Sequence, residues 1–317
     1  MTTTDQHLPE HMRAVRFDGY GGVDVLDIRD VPVPEPTEGR VLVRVRATGI
    51  NPGEMSIREG YMHERFPATF PSGEGSDLAG EVVAAGPGVT GFAPGDEVLG
   101  WSDERSAHAE YVTVPATQLA RRPDGLSVEQ AGSLYVVGAT AVAAVRAVDP
   151  QPGETVVISG AAGGVGVLTT QLAVATGATV IGIAGEANHA WLRDRGAVPV
   201  SYGDGMVERI RAAAPDGVDA LIDLFGGGYV ALALDELGVK PDRVNTIIDF
   251  ATAAERGVTT EGNAEGADIA NLVDLGERIA AGELELPIAA TYPLVEVRAA
   301  YTELARRHTH GKIVLLP

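Results

Sequence analysis

The segment from Glu154 to Gly185 constrains this chain more than any other. An apolar run, TVVI, leads into Ser159-Gly160-Ala161-Ala162-Gly163-Gly164-Val165-Gly166; a helical stretch, GVLTTQLAVATG, follows, and then a second apolar run, ATVIGIAG. Strand, glycine turn, helix and strand within about 30 residues make a crossover unit, which joins neighbouring strands of a parallel sheet. The alternation continues. NHAWLRDRG reads as a helix, VPVSY as a short strand, MVERIRAAAP as a helix and VDALIDLFG as a strand. YVALALDELG reads as a helix, RVNTIID as a strand and ADIANLVDLGERIAAGEL as a helix. This order predicts an α/β fold with a doubly wound domain.

The chain before this region has another texture. Residues 13–118 hold short strand candidates, among them Val41–Ala47, Glu81–Ala85 and Glu110–Val114, separated by turn signals such as VPVPEPTEG and GPGVTGFAPGDE. They predict an irregular antiparallel β unit. LSVEQAGSLYVVGATAVAAVRAV reads as one helix with Ser127 as N-cap and Glu129-Gln130 in its first turn. Lys312–Leu316 reads as a terminal strand.

The glycine turn has a physical use. A helix that starts just after a strand offers unpaired amides and a positive dipole end, which suit the pyrophosphate of a dinucleotide. Gly163 lets a phosphate approach the backbone, and Gly166 lets the helix pack closely on the strand. Ala161 stands where the fingerprint GxGxxG has its first glycine; the turn tolerates it if its φ is negative, with Gly160 supplying freedom just before. The expected phosphate-side residues are therefore Gly160, Ala161, Gly163, Gly164, Val165 and Gly166. At the end of the second strand, where NAD-binding folds carry an acid for the ribose hydroxyls, the chain has Ala184. A small residue leaves room for a 2′-phosphate, with Asn188, His189 and Arg193 as donors and Tyr202 within reach from the next strand. Glu186 serving NAD is the competing reading; the balance favours NADP(H) as cofactor.

Composition excludes other chemistries. The chain has 317 residues, enough for about two domains, and no cysteine, so disulfides, thiol nucleophiles and cysteine-rich zinc sites are absent. A net charge of −20 repels nucleic acid and anionic membranes, and Arg121-Arg122 and Arg306-Arg307 are too small to make a basic patch. The polar start MTTTDQHLPEHMR lacks the order of a signal peptide, and AGSLYVVGATAVAAV is short for a membrane span, so a cytoplasmic protein is expected. No GxSxG nucleophile elbow is present. His308-Thr309-His310 reads as a solvated helix end, because side chains two apart on a helix face different ways.

Several stretches together resemble a known family: ATGINPGEMSIREG, GSDLAGEVVAAGPGV, FAPGDEVLG, AEYVTVP, VVGATA, ISGAAGGVG, GVDALIDLFGG and GKIVLLP. In this order they resemble the medium-chain dehydrogenase/reductase family, in its zinc-independent, zeta-crystallin-like quinone oxidoreductase branch. The resemblance implies a GroES-like catalytic domain from residues 1–133 and 287–317, with a Rossmann domain, residues 134–286, inserted into it. It implies a nicotinamide in a cleft, hydride transfer from C4 to an electron-poor carbon, and a homodimer paired through the edge of the nucleotide-domain sheet. The zinc-dependent branch has Cys at the place of Asn51 and a His-Glu pair at the place of Ser76-Asp77, so metal-free reduction of an activated acceptor is implied: a quinone, an α,β-unsaturated ketone or an enoyl thioester. Asn51 matches a family asparagine that would hold the substrate carbonyl; as a bare sequence feature it is also a turn residue before Pro52. Thr140 matches a threonine beside the nicotinamide, or serves helix packing. Tyrosines common after the asparagine are displaced: Ser56 stands at the first place, and Tyr61 comes one residue before the second. Tyr61 is the expected proton donor or stacking platform, or else a surface residue; Trp101 and Phe250 are cleft walls or packed aromatics. A biosynthetic enoyl-thioester reductase and a non-catalytic NADP(H)-binding sensor or scaffold are the alternatives.

Overall fold

The computed structural model describes residues 8–317; the first seven residues of the polar leader lie outside the described residues. The chain divides into two units, one running through Tyr135 with 290–307 and 313–317, the other comprising Val136–Ala289 and His308–Lys312.

The first unit is β-rich. Arg40–Gly49 is its organising strand, paired antiparallel with Asp77–Ala85, Tyr111–Pro115 and Lys312–Leu316. Alternate residues Val41, Val43 and Val45 pack with Leu78, Val82, Val98, Val112 and Val114, as the two-residue period of a half-buried strand requires. His11–Arg16 and Asp27–Pro32 form a separate antiparallel pair.

The second unit is a five-stranded parallel sheet. Its spatial order is Val198–Val200, Thr179–Ile183, Thr155–Ser159, Ala220–Asp223, Val244–Thr246. The strand that comes first in sequence lies in the middle, so the strand order reverses beside it, and the chain leaves it into the glycine turn at that reversal. Both faces are covered: Val156, Ile158, Val180 and Ile222 enter one apolar layer, and Val157, Ile181, Leu221 and Val244 the other. Along the outer side of Val244–Thr246, Thr246 N donates to Thr259 O and Thr259 N to Val244 O, each at 3.0 Å.

The expected single helix at 126–148 is two helices, Val128–Ala131 and Tyr135–Val148. Gly132 lies against the strand backbone: a Cβ there would sit 2.4 Å from Ala47 O, and Gly49 N donates to Gly132 O at 2.6 Å. That carbonyl is spent on the sheet, and the helix restarts beyond it. Ser127 does cap the first piece, accepting from Gln130 N. A helix absent from the sequence reading, Phe250–Arg256, starts at Asp249, whose carboxylate accepts from Thr252 N, and stops at left-handed Gly257. Among the described residues no helix is long and apolar enough to cross a membrane.

Candidate active site

The glycine turn leaves Ser159 and enters the helix Gly164–Ala175 with Gly163 as N-cap. Gly160 takes the left-handed conformation at φ +61, which leaves Ala161 free of that demand. Ala161 is fully buried and donates to Ile183 O at 3.1 Å, tying the turn to the next strand. Gly166 has no space for a side chain, since a Cβ would lie 2.1 Å from Gly160 O. At Gly163 a Cβ would meet only Gly160 O, at 3.3 Å, and would otherwise point into open space. The amides of Gly164, Val165 and Gly166 are in the first turn, where no intrahelical acceptor exists. An open backbone face at a helix N-terminus, at the switch point of a parallel sheet, fits a pyrophosphate.

At the next strand end, buried Ala184 precedes Gly185, and the Tyr202 hydroxyl is 3.6 Å from where a Gly185 Cβ would be. Asn188 precedes the helix His189–Asp194 without capping it through its side chain. His189 Nε2 lies 3.3 Å from Ala184 O, so its ring is drawn toward this strand end, while Arg193 is exposed. Sequence reading missed Arg209. Its guanidinium donates to Ser201 O and Asp204 O at 2.8 Å, with longer bonds to Tyr202 O and Gly203 O, and so fixes the loop that presents Tyr202.

Asp223 was also missed. Fully buried at the end of its strand, it accepts from Ser159 Oγ at 2.6 Å, Gly226 N at 2.9 Å, Phe225 N at 3.1 Å and Thr246 Oγ1 at 2.8 Å. One carboxylate thus ties three adjacent strand ends, and the loops beyond them carry the half-exposed side chains of Phe225, Ile248 and Phe250. Burial, followed by the Asp223 charge, pushes the nearby Tyr229 phenol up. Thr140 spends its hydroxyl hydrogen on Val136 O, 2.6 Å away in its own helix, and keeps its oxygen lone pairs for a ligand.

In the β-rich unit, Asn51 ends the run from Arg40–Gly49 and caps the helix Pro52–Arg58. Glu54, at the third helical position, reaches back to Asn51 N at 2.9 Å and also accepts from Ser76 N at 2.7 Å and Tyr301 Oη at 2.9 Å. Asn51 is 2% exposed, and its Nδ2 donates to Asp77 Oδ2 at 3.0 Å and, more weakly, to Glu54 Oε1 at 3.4 Å. Behind it lies a buried Arg58–Glu74 pair, Arg58 Nη1 donating to Glu74 Oε1 at 2.6 Å, with the Arg58 guanidinium 4.7 Å from the centre of the Tyr301 ring. Burial pushes the Glu74 carboxyl up to about 8, against the pull of Arg58 and with the help of Glu54. Burial, and then the Glu54 and Glu74 charges, raise the Tyr301 phenol well above its ordinary value.

The structure does not join Tyr61 to this group: the ring is 81% exposed in the turn after the helix. Trp101 is buried, stacked on Tyr135 at 4.3 Å and bonded to Asp103, as a packed aromatic. Of the histidine pair, His308 is exposed, as expected, but past the helix end, and His310 is not solvated in the same way. The helix Val297–Ala305 stops before it, and the half-buried His310 ring turns onto Trp191 and Ala162, because Gly311 at φ +82 carries the chain back against the nucleotide unit.

Residues 37–124 match the alcohol dehydrogenase GroES-like domain, and residues 195–315 match the zinc-binding dehydrogenase family. A quinone oxidoreductase of Pseudomonas aeruginosa is 32% identical, over 96% of this chain and 99% of its own. The structure of the quinone oxidoreductase from Coxiella burnetii superposes with a TM-score of 0.86 at 31% identity, covering 97% of this chain and 99% of the other. A mycobacterial protein complexed with NADPH superposes at 0.81 with 28% identity, covering 96% of this chain and 100% of the other. An NAD-dependent alcohol dehydrogenase superposes at 0.84 with 27% identity and the same two coverages. The zinc named in the second domain match does not suit the donor set here. The chain has no cysteine, Asn51 turns its N–H donors toward Asp77 and Glu54, and no three His, Asp or Glu side chains converge among the described residues.

Proposed function

The chain belongs to the medium-chain dehydrogenase/reductase family, among its quinone oxidoreductases, and from that premise we propose that it is an NADPH-dependent, metal-free reductase of quinones or α,β-unsaturated carbonyl compounds. The observation that carries the reading is the Asn51 amide, held by two carboxylates where the zinc-dependent branch has a metal ligand. NADPH, when bound, supplies hydride from its nicotinamide C4.

The chain's own residues do the rest. The amides of Gly164, Val165 and Gly166 hold the pyrophosphate on a turn shaped by Gly160 and Ala161, with Gly163 giving it a close approach to the backbone. Asn188, His189, Arg193 and Tyr202 receive the 2′-phosphate at a strand end that carries no acid. Thr140 and Phe250 serve the nicotinamide end, the first through its lone pairs and the second through its half-exposed ring. Asn51 gives up its 3.4 Å contact to Glu54, weaker than the 3.0 Å bond to Asp77, and donates that hydrogen to the substrate oxygen as negative charge builds there. Tyr61 stands on the loop after this helix with its phenol in water, and is the proposed proton donor. A homodimer is part of the same reading, and sedimentation equilibrium checks it.

The test is NADPH oxidation by chelator-treated protein on a panel of quinones, enones and enoyl thioesters, beside fluorescence titrations with NADPH and NADH. Turnover of quinones or enones and tighter binding of NADPH support the proposal. Preference for enoyl thioesters would move the substrate class. Binding without turnover on any acceptor would replace the enzyme with a sensor or scaffold, and equal affinity for NADH would reverse the cofactor reading.

A further inference from the structure

His310 lies far along the chain from the glycine turn, yet its Nδ1 is 3.0 Å from Ala162 O within that turn. A carbonyl oxygen only accepts, so Nδ1 carries the hydrogen and donates it. Gly311 N donates to the same oxygen at 3.3 Å. On the far side of the same peptide, Gly163 N donates to Gly160 O at 3.0 Å. A trans peptide points its carbonyl and its N–H in opposite directions, so the Ala162–Gly163 plane is held from both ends.

The imidazole is itself braced. Its ring meets Trp191 edge-on, with centroids 5.0 Å apart, and Trp191 Nε1 donates to Glu285 Oε2 at 2.8 Å. Arg195 holds the other oxygen of Glu285 at 2.9 Å. Gln171, on the helix that the glycine turn starts, exchanges two hydrogen bonds with the Glu285 backbone, at 2.8 and 2.9 Å. Gly311 closes the arrangement: Lys312 N donates to Pro287 O at 2.9 Å, and a Cβ on Gly311 would lie 2.1 Å from that oxygen. Only glycine lets the chain pass here and bring His310 onto the turn.

We infer that His310 is a positioning residue of the dinucleotide site, clamping the Ala162–Gly163 peptide so that the glycine turn already has its phosphate-receiving shape before the cofactor arrives. The inference rests on the nicotinamide-cofactor reading above. Its logic is entropic. A turn with glycines at 160, 163, 164 and 166 has more backbone freedom to lose than other sequences, and a ligand that has to order it binds more weakly. The clamp touches neither substrate nor cofactor, so it acts on cofactor affinity and leaves the chemical step alone.

Three variants separate this role from packing. His310→Ala removes ring and donor, His310→Phe keeps a ring against Trp191 without a donor, and His310→Asn keeps an N–H near the place of Nδ1. NADPH and NADH affinities by fluorescence titration, kcat at saturating cofactor and thermal melting are measured for each. The Ala and Phe variants are expected to weaken cofactor binding about three- to tenfold, the worth of one net hydrogen bond, with kcat unchanged. His310→Asn is expected to restore affinity to within about twofold. Unchanged affinity in His310→Phe, or a loss that follows melting temperature through all three variants, overturns the inference while the function proposed above stands. Failure of the unaltered protein to bind either dinucleotide overturns both.

Discussion

Two glycines in one turn should respond oppositely to the same methyl group. At Gly166 an added Cβ would lie 2.1 Å from Gly160 O, 2.7 Å from Ala161 C and 2.9 Å from Ala161 Cα. All three are backbone atoms, so no side chain can yield, and the helix start must move by about 1 Å to restore contact distance. Overpacking of this kind costs about 1–3 kcal/mol, which in a unit of this size lowers Tm by roughly 2–12 °C. At Gly163 the backbone is extended, φ −77 and ψ −177, and the new methyl meets only one atom at 3.3 Å. Alanine is a poorer N-cap than glycine but restricts the unfolded chain, so the two effects largely offset, within about 1 kcal/mol. The methyl does cover the face where the phosphate would sit. Loss of one charge-assisted hydrogen bond, about 1.5–3 kcal/mol, weakens NADPH about 10- to 150-fold. Scanning fluorimetry and NADPH titration on Gly163→Ala and Gly166→Ala read the two outcomes. If Gly163→Ala binds NADPH as the unaltered chain does, the phosphate is not where the turn was argued to hold it. If Gly166→Ala melts normally, the close approach at Gly160 is not a constraint.

Asn51→Ala should lower kcat about 10- to 100-fold with NADPH affinity unchanged, and steady-state kinetics beside a titration checks it; an unchanged kcat removes Asn51 from the chemistry. The same change leaves Asp77 and Glu54 short of a donor, so Tm should fall as well. Glu74, pushed from 4.5 to about 8 by burial, binds a proton more tightly folded than unfolded. Folding stability from this group is therefore fully present below about pH 4.5 and is lost as pH rises through 8, with a slope of at most ~1.4 kcal/mol per pH unit. Denaturant melts across that range should show Glu74→Gln flattening the slope, and an unaltered slope would remove Glu74 as its source. Tyr202→Phe should weaken NADPH about three- to tenfold and leave NADH alone; parallel losses for both cofactors would place the hydroxyl away from the 2′-phosphate.

What the sequence made legible is what neighbours along the chain decide. The strand, glycine turn and helix at 155–175 are one local pattern, and the parallel order follows from repeating it. Even the Ala161 substitution could be read, because Gly160 supplies the positive φ beside it. Two of the misses come from contacts distant in sequence. The split in the helix at Gly132 is set by the backbone of the strand ending at Gly49, which no helical period records. Asp223 reads as a polar residue closing an apolar strand, and its role appears only when Ser159 and Thr246 meet it from the strands on either side. A polar residue ending a buried strand was the one signal that could have flagged it. Asn51 could be singled out, but its acceptor Asp77 comes from elsewhere in the chain, as does Tyr301, which holds its other acceptor Glu54.

The strand Lys312–Leu316 sets an order of events on the ribosome. The sheet of the β-rich unit is complete only when this strand lies beside Arg40–Gly49, and Tyr301, from the same late stretch, completes the buried group around Glu54. Everything the parallel sheet needs for its five strands lies between Thr155 and Thr246. During vectorial synthesis the later-made sheet can close first, while the earlier-made β unit waits, the Thr48–Gly49 end of its central strand still without its partner, for residues made after that sheet. A nascent chain arrested before Lys312 would expose that strand end, making the β unit the part that most needs protection from self-association until this strand emerges.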